Sequence, residues 1–128
     1  MLAPKPLVYV VDDDAGVRPA LTLLIEALGW RARAFACAKA FLQRAQGQQE
    51  IRACLLLDLQ MPAMNGAELL EHLRDDGTVL PTIVLSAAPD SALAERALAA
   101  GALRVLAKPV DPALLRAALS LALEHSAG

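Results

Sequence analysis

The chain has 128 residues, 56% of them hydrophobic and 20% charged, with a formal net charge of −2. That length builds one sizeable core and hardly two, so a single domain over residues 1–128 is expected. The charge balance lacks the basic footprint that nucleic acid or an acidic membrane surface needs, four aromatics offer no base-stacking platform, and no apolar stretch approaches the roughly 18 residues of a membrane span.

The opening Met1-Leu2-Ala3-Pro4-Lys5-Pro6 has no long apolar segment of the secretory kind, so a cytoplasmic protein is expected. Short apolar runs then alternate with helical patterns, which marks βα units and a parallel sheet covered on both faces. The predicted strands are Leu7 to Val11, Arg31 to Phe35, Ala53 to Leu57, Thr82 to Leu85 and Leu103 to Leu106. The first helix follows Asp14, carries Val17, Leu21, Leu24, Ile25 and Leu28 on one stripe, and ends at Gly29. Ala38 to Ala45 reads as the second helix. Asn65 to Arg74 reads as the third, closed by Asp75-Asp76-Gly77. The fourth runs from Ser91 to Ala100 with Gly101 as its stop, and the fifth opens at Asp111-Pro112, a cap followed by proline in the first turn. Arginines alternate through the second strand, which places it at an edge, while the continuous apolar runs of the first, third and fourth place them centrally.

Three strands deliver charged groups at their ends: Asp12, Asp13 and Asp14 follow the first, Asp58 follows the third, and Lys108 with Pro109 follows the fifth. Ser86 follows the fourth. In a doubly wound sheet these ends meet at one crevice. Mg²⁺ takes oxygen ligands and is usually held by one or two carboxylates plus phosphate, so Asp13 and Asp58 are candidate direct ligands and Asp12 a holder of bound water. Without the cation, clustered carboxylates repel and at least one pKa rises. A carboxylate attacking phosphorus needs charge neutralisation more than covalent help, which a metal on one side and the Lys108 ammonium on the other supply. The Ser86 hydroxyl is placed to reach a phosphoryl oxygen.

Val11-Asp12-Asp13-Asp14, Leu57-Asp58-Leu59-Gln60-Met61-Pro62 with Gly66, Leu85-Ser86-Ala87 and Lys108-Pro109 resemble the motifs of response-regulator receiver domains, the CheY-like family, across nearly the whole chain. The resemblance implies a flavodoxin-like α/β fold: a five-stranded parallel sheet in the order 2-1-3-4-5 with five helices. It implies phosphorylation of Asp58 by a sensor histidine kinase, in a signalling module rather than a turnover enzyme. It also implies a metal site of Asp12, Asp13, Asp58 and the Gln60 carbonyl, with Ser86 as switch hydroxyl, Lys108 as phosphate contact and a cis Lys108-Pro109 bond. Gln60 and Ala88 then occupy positions that influence dephosphorylation. The face of helix four, strand five and helix five is where such domains commonly form homodimers. One departure stands out: Val105 replaces the Phe or Tyr usual three residues before the lysine, and a β-branched side chain cannot make the same large rotation.

Plainer readings apply elsewhere. Asp14 suits a helix cap better than a ligand. Cys37 and Cys54 fit no metal spacing and read as free thiols, His72 and His125 as solvated, Met61 and Met64 as packing residues. Leu114, Leu115, Ala118, Leu119, Leu121, Ala122 and Leu123 wrap most of helix five, a surplus that suits a protein partner or a neighbouring domain. Two other functions stay open: an aspartyl-phosphate phosphatase of haloacid-dehalogenase type using Asp12 and Asp14, and a receiver-like scaffold that binds partners without phosphorylation.

Overall fold

A computed structural model of the chain describes residues 4–45 and 52–127. Met1 to Ala3, in the opening segment, and the terminal Gly128 lie outside the described residues. In chain order the elements are β1 (Leu7–Val11), α1 (Val17–Ala27), β2 (Arg31–Phe35), α2 (Ala38–Ala45), β3 (Ala53–Asp58), α3 (Gly66–Asp75), β4 (Thr82–Ser86), α4 (Ala92–Ala99), β5 (Arg104–Ala107) and α5 (Pro112–Ala127). The strands form one parallel sheet in the order β2-β1-β3-β4-β5, as the family resemblance implies.

Burial follows from the apolar runs. Every residue of β1, β3 and β4 is buried, because helices cover both faces of the central strands, whereas β2 and β5 are edges with exposed residues at intervals. Side-chain alternation splits each central strand between two cores. Tyr9, Leu55, Leu57 and Val84 pack with Phe41 of α2, Leu69 and Leu73 of α3, and Ala94 and Ala97 of α4. Val8, Val10, Leu56 and Leu85 pack with Leu21 and Ile25 of α1 and with Leu115, Leu119 and Leu123 of α5. In the first core Phe41 meets both Tyr9 and Phe35 edge-on, at ring-centroid distances of 5.4 and 5.5 Å. Met61 is buried in that core and Met64 packs against it.

The differences from the predicted boundaries have simple causes. Asp58 and Ser86 close β3 and β4 rather than follow them, because the ladder is a backbone property and the polar side chains ride on its last residue. Strand β5 runs one residue later than expected, from Arg104. Asn65 caps α3 instead of belonging to it: its side chain accepts from the Glu68 N–H and the Glu68 carboxylate accepts from the Asn65 N–H. Ser91 likewise caps α4 through the Ala94 N–H, and Asp111 accepts from the Ala113 N–H at the start of α5. The apolar surplus on α5 is smaller than its composition implies. Leu115, Ala118, Leu119, Ala122 and Leu123 are buried against the sheet, leaving Leu114 60% exposed and Leu121 half-buried.

No helix among the described residues is long and apolar enough to cross a membrane.

Candidate functional site

Parallel register brings the C-terminal ends of the central strands side by side: Val11 pairs with Leu57, Asp58 with Leu85, and Ser86 with Ala107. Residues far apart in the sequence therefore share one edge. The loop after β3 folds back tightly, with the Gly66 N–H donating to the Leu59 carbonyl at 2.8 Å. A Cβ on Gly66 would lie 2.9 Å from the Asp58 carbonyl oxygen and 3.0 Å from Leu59 Cα, so the approach requires glycine. In the same loop Ala63 takes a left-handed φ of 67°, and the Met64 N–H donates to the Pro62 carbonyl at 2.9 Å, closing a three-residue turn.

At this edge one carboxylate oxygen from each of Asp12, Asp13 and Asp58 lies within 4.8 Å of the others. Asp12 and Asp58 are buried, Asp13 is exposed. The Lys108 ammonium donates to Asp58 Oδ1 at 2.9 Å and stands 3.8 Å from Asp12 Oδ2. Its peptide bond to Pro109 is cis, as the resemblance implies. Ser86 is fully buried next to this group; its Oγ accepts from the Ala88 N–H at 3.0 Å, and its carbonyl accepts from the Lys108 N–H at 2.9 Å.

One ammonium does not neutralise three carboxylates. Burial pushes the Asp58 carboxyl up to about 6, with the Asp12 charge adding to the rise and the Lys108 hydrogen bond opposing it. Asp12 is also raised, again first by burial, against the Asp14 N–H and Lys108. For Lys108, burial alone favours the neutral amine, yet the hydrogen bond to Asp58 and the charges of Asp58, Asp12 and Asp13 together raise its pKa. Repulsion between the Asp12 and Asp58 carboxylates thus adds to the cost of their burial.

The donor set fits a hard divalent cation. Asp12 Oδ1 accepts from the Asp14 N–H at 2.9 Å, while Asp12 Oδ2 is buried without a hydrogen-bond partner. A buried carboxylate oxygen left in this way is costly, and a cation shared with Asp13 and Asp58 removes the cost. Gln60 lies exposed in the loop just beyond Asp58 and Leu59.

Residues given plainer readings behave accordingly. Asp14 Oδ1 accepts from the Gly16 and Val17 N–H groups, and the Asp14 carbonyl accepts from Arg18, so Asp14 closes the turn that leads into α1, while the cap position itself is held by Gly16 and not by Asp14 as expected. Those N–H bonds hold its carboxyl below the usual carboxylate range. Cys37 and Cys54 are free thiols, and burial pushes Cys54 up to about 12. His72 and His125 are exposed on α3 and α5. Val105 is half-buried against the core of α2, α3 and α4. Sequence reasoning missed Arg18, whose Nη1 donates to the Asp12 carbonyl at 2.8 Å. The available signal was a cation in the first turn of a helix, where the macrodipole disfavours it.

Comparison with known proteins leads to the same place. Residues 8–120 match the family model of the response regulator receiver domain. The chain is 38% identical over 120 residues to the transcriptional regulatory protein FixJ of Azorhizobium caulinodans, covering 94% of this chain and 56% of that protein. It is 36% identical over 120 residues to the response regulator protein TmoT of Ectopseudomonas mendocina, covering 94% and 54%. The crystal structure of FixJ-N superposes with a TM-score of 0.87 at 32% identity, covering 96% of this chain and 97% of that one. The chain thus spans about half the length of the curated relatives it matches. A match of this extent, joined to the sheet order and to the acids gathered round a lysine at the strand ends, makes the chain a member of the response regulator receiver domains, signalling modules of two-component systems and not metabolic enzymes.

Proposed function

We propose that Asp58 is a phosphoacceptor that takes a phosphoryl group from the phosphohistidine of a sensor histidine kinase, with Mg²⁺ held by Asp12, Asp13, Asp58 and the Gln60 carbonyl. The observation that carries this reading is the 2.9 Å Lys108–Asp58 hydrogen bond inside the three-carboxylate cluster. Bound Mg²⁺ supplies the positive charge that an incoming phosphoryl group needs among carboxylates. The Asp58 carboxylate forms the new O–P bond as the donor's P–N bond breaks, the electron pair leaving on the imidazole nitrogen. Lys108 holds the Asp58 carboxylate in place and neutralises charge on the transferred group. Ser86 Oγ uses a lone pair on the Ala88 N–H, which leaves its O–H free to donate to a phosphoryl oxygen.

The single sheet with helices on both faces supports reading residues 1–128 as one receiver domain, acting in the cytoplasm beside its kinase. Leu98 on α4 is 46% exposed and Leu114 on α5 is 60% exposed, which supports a switched protein contact, including a second copy of the chain, on the face of α4, β5 and α5. The phosphatase alternative needs Asp14 as a proton donor, whereas Asp14 Oδ1 already accepts from the Gly16 and Val17 N–H groups, which lower its pKa.

Intact-mass measurement after incubation with a small acyl phosphate tests the proposal. One added phosphoryl group is expected in Mg²⁺ and none in chelator; an unmodified protein under both conditions removes the chemistry.

A further inference from the structure

Arg18 stands where a cation is electrostatically misplaced. It occupies the first turn of α1, and the partial positive charge of a helix N-terminus opposes it there. It also lies close to the acidic cluster, where Mg²⁺ would meet it as a like charge. A residue with two such costs needs a compensating contact, and the structure shows one. Arg18 Nη1 donates to the Asp12 carbonyl at 2.8 Å, while its own N–H donates to the Asp14 carbonyl at 3.1 Å and its carbonyl accepts from Thr22 Oγ1 at 2.9 Å.

These bonds close a ring around one residue. The Asp12 carbonyl is held by Arg18, Asp12 Oδ1 by the Asp14 N–H at 2.9 Å, and Asp14 itself by the Gly16 and Val17 N–H groups at 2.7 and 3.1 Å. The Asp12 N–H donates to the Phe35 carbonyl at 3.1 Å, fixing the other side of the backbone. Only Asp12 Oδ2 is left without a hydrogen bond, and Asp12 offers one carboxylate oxygen to the group it forms with Asp13 and Asp58.

We infer that Arg18 is a positioning residue for the cation pocket: its bond to the Asp12 carbonyl sets the direction of the Asp12 carboxylate and so presents Oδ2 to the metal. The inference rests on the Mg²⁺ site proposed above. It opposes the simple electrostatic expectation, which gives a distinctive sign. A guanidinium acting only as a nearby charge weakens Mg²⁺ binding, so its removal tightens the complex. A guanidinium that orients a ligand strengthens binding, so its removal loosens the complex.

Titration of the protein with MgCl₂, followed by the amide NMR shifts of Asp13 and Leu59, separates the two. Arg18→Met keeps the aliphatic stem and removes the donor; its Mg²⁺ affinity is expected to fall about tenfold, the low end of what losing a ligand-orienting partner costs. Arg18→Lys keeps a donor for the carbonyl and is expected to stay near the wild type. Where Arg18→Met does not fold, Arg18→Gln, uncharged and too short to span the same gap, carries the same expectation of weaker binding. Affinity that is unchanged or tighter in the uncharged variants overturns the inference. A wild-type protein with no saturable Mg²⁺ shift instead overturns the metal reading of the pocket itself, and the inference with it.

Discussion

Replacing Asp58 by Asn is expected to stabilise the metal-free protein at neutral pH. Moving this carboxyl from 3.8 to about 6 makes its ionisation about 3 kcal/mol harder in the folded state than in the unfolded chain. Because the folded pKa is raised, the folded state binds more protons between pH 4 and 6, and stability falls as pH rises through that window; above pH 6 the whole cost is in force. Asn carries no charge and escapes it. Lys108 exchanges a charged acceptor for the neutral amide oxygen of Asn and keeps the Asp12 carboxylate at 3.8 Å, so the lost charge pairing offsets part of the gain. The net expectation is about 1–2 kcal/mol for Asp58→Asn at pH 7.5 in chelator, shrinking to nothing below pH 4. Urea unfolding at pH 4, 6 and 7.5, followed by circular dichroism, measures it. Saturating Mg²⁺ should cancel the difference by stabilising the wild type alone. Parallel pH profiles for wild type and Asp58→Asn would refute the reasoning, since they would mean that the Asp58 carboxylate is not destabilised by burial.

Lys108→Met removes both the hydrogen bond and the charge that oppose the rise at Asp58, so the Asp58 carboxyl is expected to titrate above 6, read from its carboxyl ¹³C shift against pH. Gly66→Ala forces a Cβ to within 2.9 Å of the Asp58 carbonyl oxygen, and the required backbone shift is expected to cost about 1–3 kcal/mol in urea unfolding and to slow phosphorylation with it. Ala63→Gly relieves a left-handed φ of 67° and is expected to change stability by between zero and about 1 kcal/mol in the favourable direction, while Ala63→Val at the same position destabilises.

The central strands are readable from sequence because residues buried on both sides must be apolar throughout, and β1, β3 and β4 are. Their ends are readable for the opposite reason. A carboxylate, a hydroxyl or an amine after an apolar run has to leave the core, and parallel strands send all of them to one edge. Helix stops at Gly29, Gly77 and Gly101 are equally legible, since each adopts a positive φ. The strand order and the cis Lys108–Pro109 bond come from family resemblance, because no local residue pattern specifies either.

What stays hidden depends on backbone contacts between distant segments. The misplaced cation at Arg18 marks the residue but not its partner, the Asp12 carbonyl, and nothing in the sequence announces that Ser126 Oγ accepts from the Ala53 N–H at 3.0 Å or that Arg96 pairs with Glu71 between α4 and α3. Composition also overstates the free apolar face of α5, because a helix lying over two central strands buries a wide stripe and leaves Leu114 as its one strongly exposed leucine among the described residues.

Identifying which carboxylate carries the phosphoryl group tests the central claim most directly. Borohydride reduction of the phosphorylated protein converts an aspartyl phosphate to homoserine, and peptide mapping then locates it. Homoserine at position 58 alone, absent from Asp58→Asn, is the predicted result; homoserine at position 12 or 13, or its persistence in Asp58→Asn, contradicts Asp58 as the phosphoacceptor.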